Sequence, residues 1–227
     1  MTRADLSEIY RSYIACLMVR SGFKQSIASF AVLIALAAIL SPTALSQSEV
    51  SPGANAIAGG LLVASPDMDD PRFDQTVVLV LRHDSNGAMG IVINRPVEER
   101  PLASVMKAIG ADPTGVEGSV RLFAGGPVEV EIGFVLHSVD YHRAETLDID
   151  GHVAMTSTHE ILSDIGHKRG PSKFLVAFGY CGWAPGQLES EIAQRVWVVA
   201  SADPKLIFDD DRENLWHEAM TRRLRPL

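Results

Sequence analysis

Short runs of Val, Leu and Ile recur along most of this chain between turns marked by Gly, Pro, Asn and Asp, and they predict strands before helices. Ile57 to Ala64 and Thr76 to Leu81 are the first two runs, with Pro66, Asp67 and Pro71 interrupting the stretch between them. The second run leads through His83-Asp84-Ser85-Asn86-Gly87 into Ala88 to Ile93, a hairpin signature because Asn and Gly tolerate positive φ. Pro96 is expected to stop the returning strand, since it has no N–H to give to a ladder. Leu102, Val105, Met106 and Ile109 then recur at helical spacing and Gly110 closes that helix.

Val120 to Phe123 and Ile132 to His137 read as the next strands, divided by Gly125-Gly126-Pro127. Thr146 to Met155 predicts a hairpin around Asp150-Gly151. Ser157 with Glu160 three residues on has the spacing of a capping box and opens a helix through Ile161, Leu162 and Ile165. Phe174 to Phe178 and Val196 to Ala200 are buried-type strands. Between them come the Gly179–Gly186 loop and a helix from Gln187 to about Ala193, and a last helix is expected from near Arg212 to Leu224. The pattern implies a single α+β domain over residues 51–227, with a mixed, mainly antiparallel sheet. The strand–helix–strand unit near 174–200 is the expected source of one parallel neighbour.

Residues 1–50 are set apart by their pattern. Ile27 to Leu40 is nearly continuous aliphatic and Ala, preceded by Arg20 and Lys24 and followed by Pro42 and small residues. That layout is a signal peptide's, with cleavage expected after Ser46. Met18 is a candidate start that would give a more compact leader. The 14-residue run is shorter than the roughly 20 residues a bilayer span needs, so an uncleaved anchor is the second reading, and no stable span is expected after removal of the leader.

Charge narrows the function classes. The 227 residues carry 20 Lys and Arg against 28 Asp and Glu, a net charge of −8, which argues against a broad nucleic-acid grip. Two cysteines exclude a disulfide scaffold, and removal of the leader leaves Cys181 alone.

Five segments together resemble the bacterial YqgE/AlgH family: Gly59 to Pro96, FAGGPVE from Phe123, GFVLH from Gly133, GYCGWAPGQLESEI from Gly179, and the strand around Trp197. The resemblance covers residues 57–224. It implies a compact α+β fold with a barrel-like sheet and flanking helices, no agreed enzymatic activity, and a transcriptional-regulator label linked to alginate control. It also implies a cytosolic location, against which the leader of this chain points to export into the periplasm. Many members carry Cys where this chain has Leu81, and Ala where it has Cys181.

Candidate chemistry centres on the loops. Gly179 to Gly186 follows a buried strand and leads into a helix. Its turn, Tyr180 and Trp183 could wall a pocket, and Gln187 could bind a ligand through its amide. Gly125 and Gly126 would admit a close ligand or form a tight turn, and Asn94 and Arg95 close a strand with strong donors. His137 completes the ligand-binding candidates. No catalytic residue is assigned, because no GxSxG elbow or spaced base accompanies Cys181, and no metal site, because the histidines lack ligand spacing. No cofactor is expected.

Three readings follow: a binding protein for an unidentified small molecule or protein partner, without turnover; a hydrolase or redox enzyme using the 179–186 loop; and a direct DNA-binding regulator. The last is opposed by acidity and by a basic cluster that is limited to Arg222, Arg223 and Arg225 at the tail. The first is preferred, and it expects Asn94, Gly126, His137, Trp183 and Gln187 to converge on one cleft.

Overall fold

The computed structural model describes residues 57–208 and 211–224, so the leader expected over residues 1–50 lies outside the described residues. The β-branched runs become strands β1 (Leu61–Ala64), β2 (Val77–Asp84) and β3 (Gly87–Val92). The expected hairpin forms, with Asp84 opposite Gly87 and the Asn86 N–H bonded to the Asp84 side chain at 2.7 Å. Pro96 does not stop the chain's extended course. It opens β4 (Pro96–Pro101), which the sequence did not predict and which is tolerated because its prolines lie at the two ends of a strand paired on one side only.

Helix α1 (Leu102–Ala108) buries Leu102, Val105 and Met106, as their spacing requires. Then come β5 (Ser119–Ala124), β6 (Val128–Ser138), β7 (Leu147–Asp148) and β8 (Val153–Thr156). Helix α2 (Glu160–Gly166) has His159 at its N-cap and no side-chain capping bond, so the Ser157–Glu160 box does not form: the helix begins too late for Ser157 to reach it. Strand β9 (Phe174–Trp183) runs five residues beyond its expected end and absorbs most of the predicted loop. Helix α3 (Gln187–Ala193), β10 (Trp197–Ala200), the short α4 (Pro204–Ile207) and α5 (Leu215–Thr221) complete the described chain.

The long β9 organises the sheet. Its first half lies between β6, antiparallel, and β5, parallel through Leu122↔Val176 to Ala124↔Phe178. Its last three residues pair with β3. Two ribbons, β5–β4 and β3–β2–β1–β10, therefore lie along the same side of β9, while β6–β8–β7 extends the other. The parallel neighbour is β5, not the β10 expected from sequence. The other pairings are antiparallel, and the curled sheet with its few helices is a half-barrel α+β domain.

Both faces of the central strands are covered. In β1, Leu61 and Val63 join an interior cluster with Leu79, Phe134, Leu136 and Leu175, whereas Leu62 and Ala64 pack under α3 with Val78, Val80 and Leu188. Helices α1 and α2 close a third cluster over Val120, Leu122, Val135 and Val176. Burial of each such aliphatic side chain contributes about 1.5–3 kcal/mol. That framework holds the loop ends at the tip of β9, where the candidate site lies.

Candidate functional site

The two glycine segments meet, but they meet each other. A Cβ on Gly126 would overlap the Tyr180 carbonyl, one on Gly125 the Gly179 oxygen, and one on Gly179 the Gly126 oxygen. The Gly125 N–H donates to the Phe178 oxygen at 2.7 Å, and the Gly125 oxygen accepts from the Val92 N–H at 2.8 Å. These glycines let two backbones cross at contact distance, and the space is filled by protein. Tyr180 turns inward, edge-on to Phe134 at 6.1 Å.

Asn94 and Arg95 grip the backbone just before β2. Asn94 Oδ1 accepts from the Val77 N–H at 2.9 Å and Nδ2 donates to the Gln75 oxygen at 2.8 Å. Arg95 donates to the Asp74 oxygen and to Thr76 Oγ1. His137 is fully buried on β6, with Nε2 2.9 Å from Thr156 Oγ1 and Nδ1 2.9 Å from the Ser138 oxygen. Burial is the main reason its pKa lies below the ordinary histidine value. The expected convergence of Asn94, Gly126, His137, Trp183 and Gln187 therefore does not occur.

Trp183 and Gln187 do share a cleft of about 400 Å³. One wall is the segment from Asp67 to Phe73, the other is the end of β9, α3 and the start of β10, and Pro127 and Val128 border it. Its organising residue is Glu191 on α3. Glu191 Oε2 accepts from both indole N–H groups, Trp183 and Trp197, each at 2.8 Å. Oε1 accepts from Gln187 Nε2 at 2.9 Å, and Gln187 Oε1 accepts from the Ala184 N–H at 3.0 Å. One carboxylate thus fixes two aromatic rings and an amide. The rings stand edge to face 6.0 Å apart, and Phe73 sits edge-on to Trp197 at 5.6 Å.

The cleft is acidic. Asp67, Asp69, Asp70 and Glu191 line it against a single guanidinium, Arg72. Arg72 pairs with Asp70 at 2.6 Å and lies over the Phe73 ring at 5.8 Å. Burial pushes the Asp70 carboxyl up, but the Arg72 hydrogen bonds outweigh it and hold the group below the usual carboxylate range. Cys181 borders the cleft from inside β9, not from a strand–loop junction. It is 2% exposed, and burial pushes its thiol up to about 12, which suits an inert packing group.

Glu191 and the 67–73 wall were missed as site residues. The Gln187–Glu191 spacing of four was legible, but the indoles they serve are joined only by the fold. Glu189, two residues after Gln187 and so on another side of the helix, bonds buried His83 at 2.8 Å; its own backbone N–H and His83 hold its carboxyl low. A second cavity, about 380 Å³, lies between α1, β6 and the start of α2, with Phe134, Val176 and Phe178 among its lining. Among the described residues no group of three or more His, Cys, Asp and Glu gathers as a metal site. Arg222 pairs with Asp203 at 2.9 Å.

Comparison with known proteins agrees with the resemblance. A family model described as DUF179, AlgH-like, matches residues 61–225. A UPF0301 protein of Jannaschia sp. (strain CCS1) is 44% identical over 166 residues, covering 72% of this chain and 86% of that protein. One from Rhodospirillum rubrum is 42% identical over 166 residues, covering 73% and 86%. The solution structure of the AlgH protein from Pseudomonas aeruginosa superposes with a TM-score of 0.64 at 36% identity, over 78% of this chain and 92% of that one. A crystal structure from Corynebacterium diphtheriae, 23% identical, shares the fold with a TM-score of 0.59 over 75% and 88% of the two chains. The family's model spans nearly all of the described domain, and this chain belongs to the AlgH-like family.

Proposed function

We propose that the chain is a binding protein without turnover and that its ligand site is the Trp183–Gln187–Glu191–Trp197 cleft. The observation that carries this reading is the Glu191 carboxylate, which holds two indoles and one amide in fixed positions around an open cavity. Such preorganisation spares a ligand the cost of ordering its site. Aromatic and apolar walls beneath an acidic rim favour a flat or apolar ligand that carries positive charge. Turnover finds no support in the Cys181 thiol bordering the cavity, because it stays protonated near neutral pH. No helix among the described residues is long and apolar enough to cross a membrane. The leader-like run over residues 27–40 supports export of the domain, with the family's cytoplasmic placement as the competing location.

Calorimetric titration with phenylguanidinium, phenylurea and benzoate tests the reading. Phenylguanidinium should bind one to one, and Glu191→Gln should weaken it by about fivefold or more. No heat from any of the three, or binding indifferent to Glu191→Gln, contradicts it.

A further inference from the structure

The wall formed by residues 67–73 has little apolar anchoring of its own. Of its side chains only Met68 and Phe73 belong to a core cluster, both half-buried, while Asp67, Asp69 and Arg72 are exposed. Its N-terminal root is tied to the residue just before β10 by the Ser65 N–H, which donates to the Val196 oxygen at 3.0 Å. The C-terminal root has a different kind of hold. Asn94 and Arg95, adjacent in sequence, reach four points on residues 74–77: the Asp74 oxygen, the Gln75 oxygen, the Thr76 hydroxyl and the Val77 N–H.

That hold is specific to the two side chains. The Asn94 amide uses its acceptor on one side of Thr76 and its donor on the other, a pairing no carboxylate or hydrocarbon reproduces. Between those bonds Gln75 has φ +50°, a left-handed conformation that a glutamine adopts only when its surroundings enforce it. Arg95 bridges positions 74 and 76 through a single guanidinium nitrogen. The base of the hold is rigid: the Ile93 N–H donates to the Val77 oxygen at 3.0 Å, and the Arg95 oxygen accepts from the Ala124 N–H at 2.9 Å. The held part begins one residue after Phe73, the ring against Trp197. Neither Asn94 nor Arg95 lines the cleft.

We propose that Asn94 and Arg95 are positioning residues for the cleft: by clamping residues 74–77 they hold the 67–73 wall against Trp197 and set access to the cavity. The inference rests on the proposed binding site for its functional meaning, but the clamp is observable without any ligand. Cys181 borders the cavity and is buried, so its modification rate reports how often the wall swings away.

The experiment is N-ethylmaleimide labelling of Cys181 in the full chain with Cys16→Ser, read by peptide mass spectrometry across a urea series below the unfolding transition. Asn94→Asp and Arg95→Gln should raise the labelling rate by about tenfold, with a slope against urea much shallower than that of global unfolding. Arg95→Lys, the mildest change, should fall between them and the parent, which keeps the test decisive if Asn94→Asp fails to fold. Asp203→Asn, which breaks the remote bridge to Arg222, should leave the rate unchanged. Phenylguanidinium affinity should fall by about fivefold in Asn94→Asp. A rate unchanged in all clamp variants, raised equally by Asp203→Asn, or rising only with the steep slope of global unfolding overturns the proposal. A parent chain that binds no phenylguanidinium but shows the labelling change loses the proposed function and keeps the clamp.

Discussion

The Gly125–Gly126 crossing and the Trp183–Glu191–Trp197 cleft are neighbours, since Pro127 and Val128 border the cleft directly after the glycines. Both are built from the family's glycine-bearing segments, yet they do opposite things. At the crossing, missing side chains let backbone meet backbone, and hydrogen bonds to Phe178 and Val92 use the polar groups. At the cleft, large side chains are held apart by one carboxylate and leave a cavity. A run of glycines therefore marks where the chain excludes a ligand here, and the ring-bearing residues beside it mark where one fits.

Substitutions can break this comparison, beginning with the largest effect. Gly126→Ala places a methyl group inside the Tyr180 peptide and should cost more than about 4 kcal/mol, enough to abolish a cooperative thermal transition by circular dichroism. A folded Gly126→Ala would reopen the crossing as a place with room for a ligand. Glu191→Ala leaves two buried indole N–H groups without their acceptor and should cost about 2–3 kcal/mol in urea unfolding, with the fold retained and altered tryptophan emission. Gly186→Ala is the control on the cleft side. Its φ is +76° but a Cβ meets nothing within 4 Å, so the loss should be only about 1 kcal/mol of left-handed strain.

The smallest effect concerns His137, which shares the closed character of the crossing. Its folded pKa lies below the unfolded value of 6.5, so the unfolded chain takes up the proton first as pH falls. Stability should hold steady above about pH 7, decline as pH drops through the unfolded value, and level off below the folded one. His137→Gln should flatten that part of the urea-midpoint profile, and a profile that rises toward acid would contradict the assignment.

Local signals carried much of the fold. The hairpin around Asn86-Gly87 and helix α3 lie where the sequence puts them, because turn chemistry and helical spacing are read within a few residues. What escaped was set by distant partners. Gly179 to Trp183 read as a loop because glycine punctuates turns, whereas the crossing with Gly126 and pairing with β3 make it strand. The parallel β5–β9 pair joins segments some fifty residues apart and leaves no local trace. At the site, Trp183 and Gln187 were legible as an aromatic and an amide at a loop end. The use of Asn94 and Arg95 was not, because three of the four groups they hold are backbone atoms that any residue would supply.

The most direct test is nuclear magnetic resonance of the nitrogen-15-labelled chain during titration with phenylguanidinium. The indole N–H signals of Trp183 and Trp197 and the Gln187 side-chain amide should shift progressively, while the Trp216 indole, bonded to the Ala64 oxygen, and the backbone amides of Gly126 and Gly179 stay in place. Shifts confined to the glycine crossing, or no shift at either indole of the cleft, would contradict the account.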